Sequence, residues 1–212
     1  MGDGEAVLVA NGALRWTEEL VRRAEAARPL LAADGGGDHL ARVGLRPDLL
    51  IGDLDSVSPG TRVWNGEERV LLRPDQNRTD LEKALIHAFD EMRLPRLTVL
   101  GALGGRPDHE AGNLGLLARY ALGDRLVYRD ERTLVLATAT AMDLDAVPGE
   151  TWSFWTYDPA VRVTLEGVRW PVRAAPLDAG GRPSISNQAA APRIRVTPLG
   201  GPLLVMRWLT LP

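Results

Sequence analysis

The chain has no cysteine, and Lys83 is its only lysine. Without cysteine there are no disulfides, no thiolate metal ligands and no thiol nucleophile. Lys83 stands in no G-x-x-x-x-G-K-[ST] pattern, so phosphate chemistry here does not use a Walker lysine. No apolar run approaches the ~20 residues that span a bilayer. The start, Met1-Gly2-Asp3-Gly4-Glu5, carries no basic stretch ahead of AVLVA and does not read as a signal peptide. A formal net charge of −3 argues against a broad nucleic-acid or anionic-membrane surface. Internal repeats and long low-complexity segments are also missing. What remains is a chain of 212 residues, 45% apolar and 25% charged. That is room for one large or two small soluble domains, with the cytoplasm as the expected setting.

Residues 1–130 alternate between strand and helix patterns. Strands are expected at Ala6–Ala10, Leu30–Ala33, Leu49–Ile51, Arg69–Leu72, Leu97–Leu100 and Leu126–Arg129. Helices are expected at Thr17–Ala27, around His39–Val43, at Asp80–Met92 and over Asp108–Ala121. This alternation predicts a parallel sheet covered by helices, a three-layer α/β domain. Residues 131–212 differ. TLVLAT, TWSFWTY, AVRVTLEGV, RIRVTP and PLLVMRWLTL are short β-type runs separated by Pro-Gly, Asp-Pro and Gly-Gly turns, which predicts a smaller all-β sandwich or barrel. The stretch at 56–68 reads as a polar loop.

Acidic turns follow the apolar runs of the first part: LLAADGGGDH (30–39), PDLLIGDLDSV (47–57) and LLRPDQNRTDLEKA (71–84). A fourth run, VLGALGGRPDHEAGN (99–113), ends in Gly-Gly-Arg and then Pro-Asp-His. If the runs are parallel strands, these turns share the sheet edge where open α/β proteins bind ligands. Crowded carboxylates repel, and a hard divalent ion such as Mg²⁺ carrying substrate phosphates suits them. Asp53 and Asp55, flanking Leu54, face one point if the backbone stays extended. They serve equally as a polar turn. Thr79-x-x-Glu82 is a capping box, and Asp80 suits the first turn of its helix with or without a metal. Asp75 reads as a turn residue as readily as a ligand. Pro107 fits the first position of a helix whose free N–H groups, with Arg106, would hold phosphate. Asp108 can also be a cap, and His39, His87 and His109 can be ordinary helix histidines. Downstream, Trp170 offers a stacking face, and Ser184, Ser186 and Asn187 offer donors and acceptors to a heteroaromatic ring. A core tryptophan and a polar turn would look the same.

Taken in order, Asp34-Gly35-Gly36, Pro47-Asp48 through Gly52-Asp53-Leu54-Asp55-Ser56, Asp75-Gln76 with Thr79-Asp80, Gly104-Gly105-Arg106-x-Asp108-His109 with Asn113, Gly167-x-x-Trp170-Pro171 and Ser184-x-Ser186-Asn187 resemble the thiamine pyrophosphokinase family. The resemblance implies an α/β domain followed by a β-sandwich that binds thiamine and dimerises. It implies Mg²⁺-dependent transfer of pyrophosphate from ATP to the thiamine hydroxyl, giving thiamine diphosphate and AMP. Carried over, Asp53, Asp55 and Asp80 hold Mg²⁺. Asp34, Gly35, Arg106, Asp108 and His109 line the nucleotide site, with Asp55, Asp80, Arg106 and Asp108 taking part in catalysis. Gln76, Trp170, Ser184, Ser186 and Asn187 receive thiamine, with active sites between the subunits of a homodimer. Gly37 and Asp38 depart from the family, which more often has a small residue and Asn there. The rival expectations are a pyrophosphokinase for another alcohol such as a hydroxymethylpterin, a Mg²⁺-dependent nucleotide hydrolase, and a non-catalytic sensor.

Overall fold

The computed structural model describes residues 5–209. The segment read as the absence of a leader, Met1–Gly4, and the last residues of the C-terminal β run lie outside the described residues. The chain divides into two compact units: one runs to Asn113 and takes in Tyr128–Glu131, the other holds Leu114–Val127 and the chain from Arg132 onward.

In the first unit, strands β1 (Val7–Val9), β2 (Leu30–Ala33), β3 (Leu49–Gly52), β4 (Val70–Leu72) and β5 (Leu97–Leu100) pair in parallel in the order β5-β1-β2-β3-β4. Helix α1 (Glu18–Ala26) begins where Thr17 accepts the backbone N–H of Leu20. Its Leu20 and Ala24 pack with Val7, Val9, Leu30, Ala32 and Leu50, together with Leu40 of α2 (Gly36–Arg42). Leu8, Leu31, Ile51 and Val99 alternate to the opposite face and are also fully buried. Helix α4 (Asp80–Ile86) lies against β2 and β3 and continues into a π turn at His87–Glu91. Both faces are therefore covered, as buried parallel strands require. Gly36 permits the tight fit of α2 on β1, because a side chain there would run into the Val9 carbonyl oxygen.

The polar stretch at 56–68 is not all loop. Helix α3 (Pro59–Asn65) forms within it, with Ser58 as N-cap and Pro59 at the first position, followed by a 3₁₀ turn at Glu67–Arg69. It carries no apolar stripe, so periodicity does not reveal it; its start rests on capping and on the preset φ of proline.

Helix α5 (Pro107–Tyr120) and strand β6 (Leu126–Arg129) each contribute residues to both units. The second unit is a sandwich of two layers of antiparallel strands. One has the order β12-β9-β14-β7, built from β7 (Thr133–Thr138), β9 (Thr151–Trp155), β12 (Ser184–Gln188) and β14 (Leu203–Trp208). The other has the order β11-β10-β13-β8, built from β8 (Met142–Asp145), β10 (Arg162–Glu166), β11 (Val172–Ala175) and β13 (Arg193–Leu199). Leu136, Trp152, Phe154 and Val205 of the first meet Val163, Leu165, Ile194 and Val196 of the second in one core. Among the described residues no helix is long and apolar enough to cross a membrane.

Candidate active site

The first unit runs from β1 out to β4 and then returns to place β5 on the other side of β1. Strand order reverses between β1 and β5, and ligands of open parallel sheets bind at the carboxyl ends around such a point. The acidic turns after β2 and β3 and the start of α4 converge on this edge. Asp34, Asp53 and Asp80 each present a carboxylate oxygen, and these oxygens lie within 4.8 Å of one another.

Each of the three is fixed locally. Asp34 is buried and adopts φ +42, a left-handed conformation that Asp tolerates. Its Oδ1 accepts the Val57 N–H at 2.9 Å and its Oδ2 accepts the Ser56 N–H at 3.1 Å. Burial pushes its pKa up to about 6 against those two backbone bonds, and the Asp80 charge and the nearby Asp55 carboxyl add to the rise. Asp80 sits in the first turn of α4, behind Thr79, which accepts the Glu82 N–H at 3.3 Å, and its Oδ1 accepts the Asp53 N–H at 3.3 Å. A Cβ on Gly52 would lie 3.0 Å from both the Asp34 Cβ and the Asp80 Oδ1, so the close approach of the three carboxylates depends on glycine here.

Asp55 is placed differently from the expectation for an extended Asp53-Leu54-Asp55. Leu54 has φ +67, which breaks the alternation. Asp55 is exposed, and its Oδ1 accepts the Ser56 hydroxyl at 2.9 Å. The trio brought together is thus Asp34, Asp53 and Asp80, with Asp55 close enough to influence Asp34. Gln76 donates to Asp53 Oδ2 at 3.0 Å, which puts it beside the cluster. Asp75 forms the turn, accepting Asn77 N–H at 2.9 Å and pairing with Arg78.

Lys83 carried no expected role. Its side chain is 4% exposed, and its Nζ donates to Asp80 Oδ1 at 2.9 Å and to Asp53 Oδ2 at 3.1 Å. Burial works against the ammonium, but the two carboxylates outweigh it and raise its pKa. Burial likewise opposes the charge on Asp53, and the Lys83 and Gln76 bonds reverse the balance, holding its pKa below the usual range. The sequence signal was slight: the lone lysine stands three residues after Asp80 on a helix.

A cavity of about 250 Å³ opens beside the cluster, lined among others by Asn11, Gly12, Asp34, Asp80, Arg106 and His109. Asn11 and Gly12 were not singled out, although an Asn-Gly after the first apolar run follows the same pattern as the other turns. Gly35 is the N-terminal boundary of α2 and packs directly on Asn11. Asn113 donates to the Ala102 carbonyl at 2.7 Å and anchors the β5–α5 loop from inside. Helix α5 begins at Pro107 as the sequence suggests. Arg106 holds the exposed Asp108 in a bidentate pair, at 3.1 and 2.6 Å, and this pulls the Asp108 pKa down to about 2. His39 is buried, and its Nε2 donates to the Gly12 carbonyl at 2.9 Å; burial pushes its pKa down. His87 pairs with Glu91.

In the second unit, Trp170, Ser184 and Asn187 line a cavity of about 460 Å³. Asn187 is buried and uses its whole amide on the protein. Its Oδ1 accepts the N–H groups of Trp170 and Gln188, and its Nδ2 donates to the Trp170 carbonyl and the Ser184 hydroxyl. Asn187 therefore fixes Trp170 and leaves no donor or acceptor of its own for a ring. The Arg169 guanidinium lies 4.9 Å from the half-exposed Trp170 ring centroid. Ser186 lines another cavity, of about 620 Å³, with Ser153, Trp155, Met206 and Trp208. Two alternating serines on one side of an extended segment are thus not what the chain forms: Ser186 has φ +56, and the pairing of β12 with β9 slips between Ser184 and Asn187.

Hard oxygen donors beside a cavity with glycine and arginine, at the reversal point of a parallel sheet, give an α/β protein whose ligand edge suits a divalent cation and a phosphate-bearing ligand. The family model for the thiamin pyrophosphokinase catalytic domain matches residues 21–127, just over half of the chain, and the chain belongs to this family. Among curated relatives, it is 28% identical to thiamine pyrophosphokinase 1 of Oryza sativa subsp. japonica over 200 residues, covering 81% of this chain and 75% of that protein. It is also 28% identical to thiamine pyrophosphokinase 1 of Arabidopsis thaliana over 230 residues, covering 92% and 83%. The thiamine pyrophosphokinase structure from Bacillus subtilis superposes with a TM-score of 0.79 at 23% identity, covering 98% of this chain and 100% of that one. The Candida albicans thiamin pyrophosphokinase structure gives a TM-score of 0.80 at 15% identity, covering 97% and 90%. These likenesses bear on the fold.

Proposed function

We propose that this chain transfers the pyrophosphoryl group of ATP to the hydroxyl of thiamine, giving thiamine diphosphate and AMP. The observation that carries the reading is the match of the family's catalytic domain to the very stretch that builds the carboxylate cluster. The thiamine oxygen forms a bond to the β-phosphorus as the bond from that phosphorus to the α-phosphate oxygen breaks, and AMP leaves with that oxygen. The transition state is loose, so positioning and electrostatic stabilisation do most of the work.

The donor set fits Mg²⁺. Asp34, Asp53 and Asp80 supply hard oxygens, and Asp53 Oδ1 is buried without a hydrogen-bond partner among the described residues, a cost that a cation removes. When bound, the ion would neutralise β- and γ-phosphate oxygens. Around it, Arg106 and the start of α5 offer charge and N–H groups to phosphate. Gln76 is held against Asp53, and our reading gives it the acceptor oxygen. Asp108 is a weak base at a pKa of about 2. A loose transition state needs little help from a base, so the hydroxyl proton passes late, to solvent. Our reading takes the acceptor to the cavity of Trp170 and Ser184, in a homodimer whose active sites lie between subunits.

The test is AMP release from Mg-ATP with and without thiamine, with EDTA as control. AMP and thiamine diphosphate that appear only with both thiamine and metal support the reading. AMP without any acceptor makes the chain a nucleotide hydrolase instead, and AMP with a hydroxymethylpterin but not with thiamine changes the substrate.

A further inference from the structure

We propose that Lys83 is a positioning residue, the resident counter-cation of the carboxylate cluster. In this role it holds Asp53 and Asp80 in ligand geometry when no metal is bound, and it sets the cluster's charge to that of one divalent ion. The inference rests on the metal reading above and goes beyond it by assigning a task to a side chain outside the ligand set.

Three observations carry it. A buried ammonium is costly unless it is paired and hydrogen-bonded. Here it is paired twice, with Asp80 on its own helix and with Asp53 after β3. The bonds go to one oxygen of each, Oδ1 of Asp80 and Oδ2 of Asp53, and Asp53 Oδ1 stays unpartnered. The lysine thus fixes the Asp53 carboxylate while leaving an oxygen for a metal. Finally, three carboxylates and one ammonium leave two negative charges, which a single divalent cation balances. Without Lys83 the cluster would carry three. Repulsion would then spread the carboxylates in the metal-free protein, and the same excess would attract a cation more strongly.

The consequence separates this role from mere packing. Lys83→Met should lower the Tm of the metal-free protein, and saturating Mn²⁺ or Mg²⁺ should recover most of that loss. Its Mn²⁺ affinity, measured without nucleotide by titration calorimetry, should rise about tenfold over the parent. Turnover should fall even at saturating metal, since the geometry of Asp53 and Asp80 is no longer held. Lys83→Arg, which keeps the charge, should show a metal response near that of the parent. If Lys83→Met does not fold without metal, Lys83→Gln, which keeps a donor without the charge, is measured in its place. An equal Tm loss with and without metal, or Mn²⁺ affinity equal to or weaker than the parent's, overturns the role of Lys83 alone. If the parent protein itself binds no Mn²⁺ and shows no metal-dependent Tm, the metal reading falls and the inference falls with it.

Discussion

Ser184 and Ser186 stand two residues apart on β12 yet line different cavities, because the left-handed backbone at Ser186 and the slipped pairing with β9 reset the alternation. The acceptor site we propose takes the side of Trp170 and Ser184. Trp170→Ala should raise the KM for thiamine about tenfold or more, the loss of one stacking face at ~1.4 kcal/mol per tenfold, with kcat changing less. Ser186→Ala should leave both constants near the parent's. Steady-state kinetics with thiamine as the varied substrate checks this, and the reverse pattern would move the acceptor to the other cavity.

Asp53→Asn and Asp80→Asn should each reduce thiamine-dependent AMP formation about 100-fold or more, the usual loss when a group stabilising transition-state charge is removed. Asp55→Asn should cost less, since Asp55 is exposed and outside the trio. Initial rates at several Mg²⁺ concentrations decide the point. Equal losses at 53 and 55 would return Asp55 to the ligand set.

Asp34 gives the protein a pH dependence of known sign. Its folded pKa of about 6 exceeds the 3.8 of an ordinary aspartate, so between these values the folded state holds more protons than the unfolded one. Stability from this group is fully present below about 3.8, and it is lost as pH rises through about 6. In metal-free protein, Asp34→Asn should therefore flatten the fall in stability across that window, read by chemical denaturation at a series of pH values. Metal binding needs the ionised form, so Mg²⁺ affinity should weaken as pH drops below about 6.

Gly36→Ala should destabilise the protein by about 2–3 kcal/mol through overpacking, because its new Cβ runs into backbone of β1 rather than into a side chain that can swing away. Gly52→Ala acts elsewhere: its Cβ meets Asp34 and Asp80, so metal response should suffer beyond any change in Tm. Thermal shift with and without Mg²⁺ on both variants distinguishes the two effects.

Much of the α/β half was legible because its strands are short buried runs and its longer helices carry an apolar stripe. Leu30–Ala33 and Leu97–Leu100 fall where the pattern puts them, and α1 begins at its Thr17 cap. Helix α3 escaped because capping, not periodicity, starts it. The geometry of the site was less legible for a different reason. Positive φ values at Leu54 and Ser186 overturn two arguments from alternation, and neither residue type announces such a conformation. Helix α2 starts at Gly36, earlier than the segment around His39–Val43 that its pattern suggested, which brings Asp34 directly before the helix. The burial of Lys83 depends on two carboxylates from separate elements, a meeting that no local pattern encodes.

Because Lys83 is the sole lysine and is 4% exposed, the surface of this protein presents guanidinium groups where others present amines. Acylating reagents, aldehyde crosslinkers and lysine-directed tags find no side-chain amine to attack on the outside. The one side-chain ammonium lies behind two aspartates, so the rate at which Lys83 itself is modified, read apart from the chain's α-amine, gauges how often the carboxylate cluster opens.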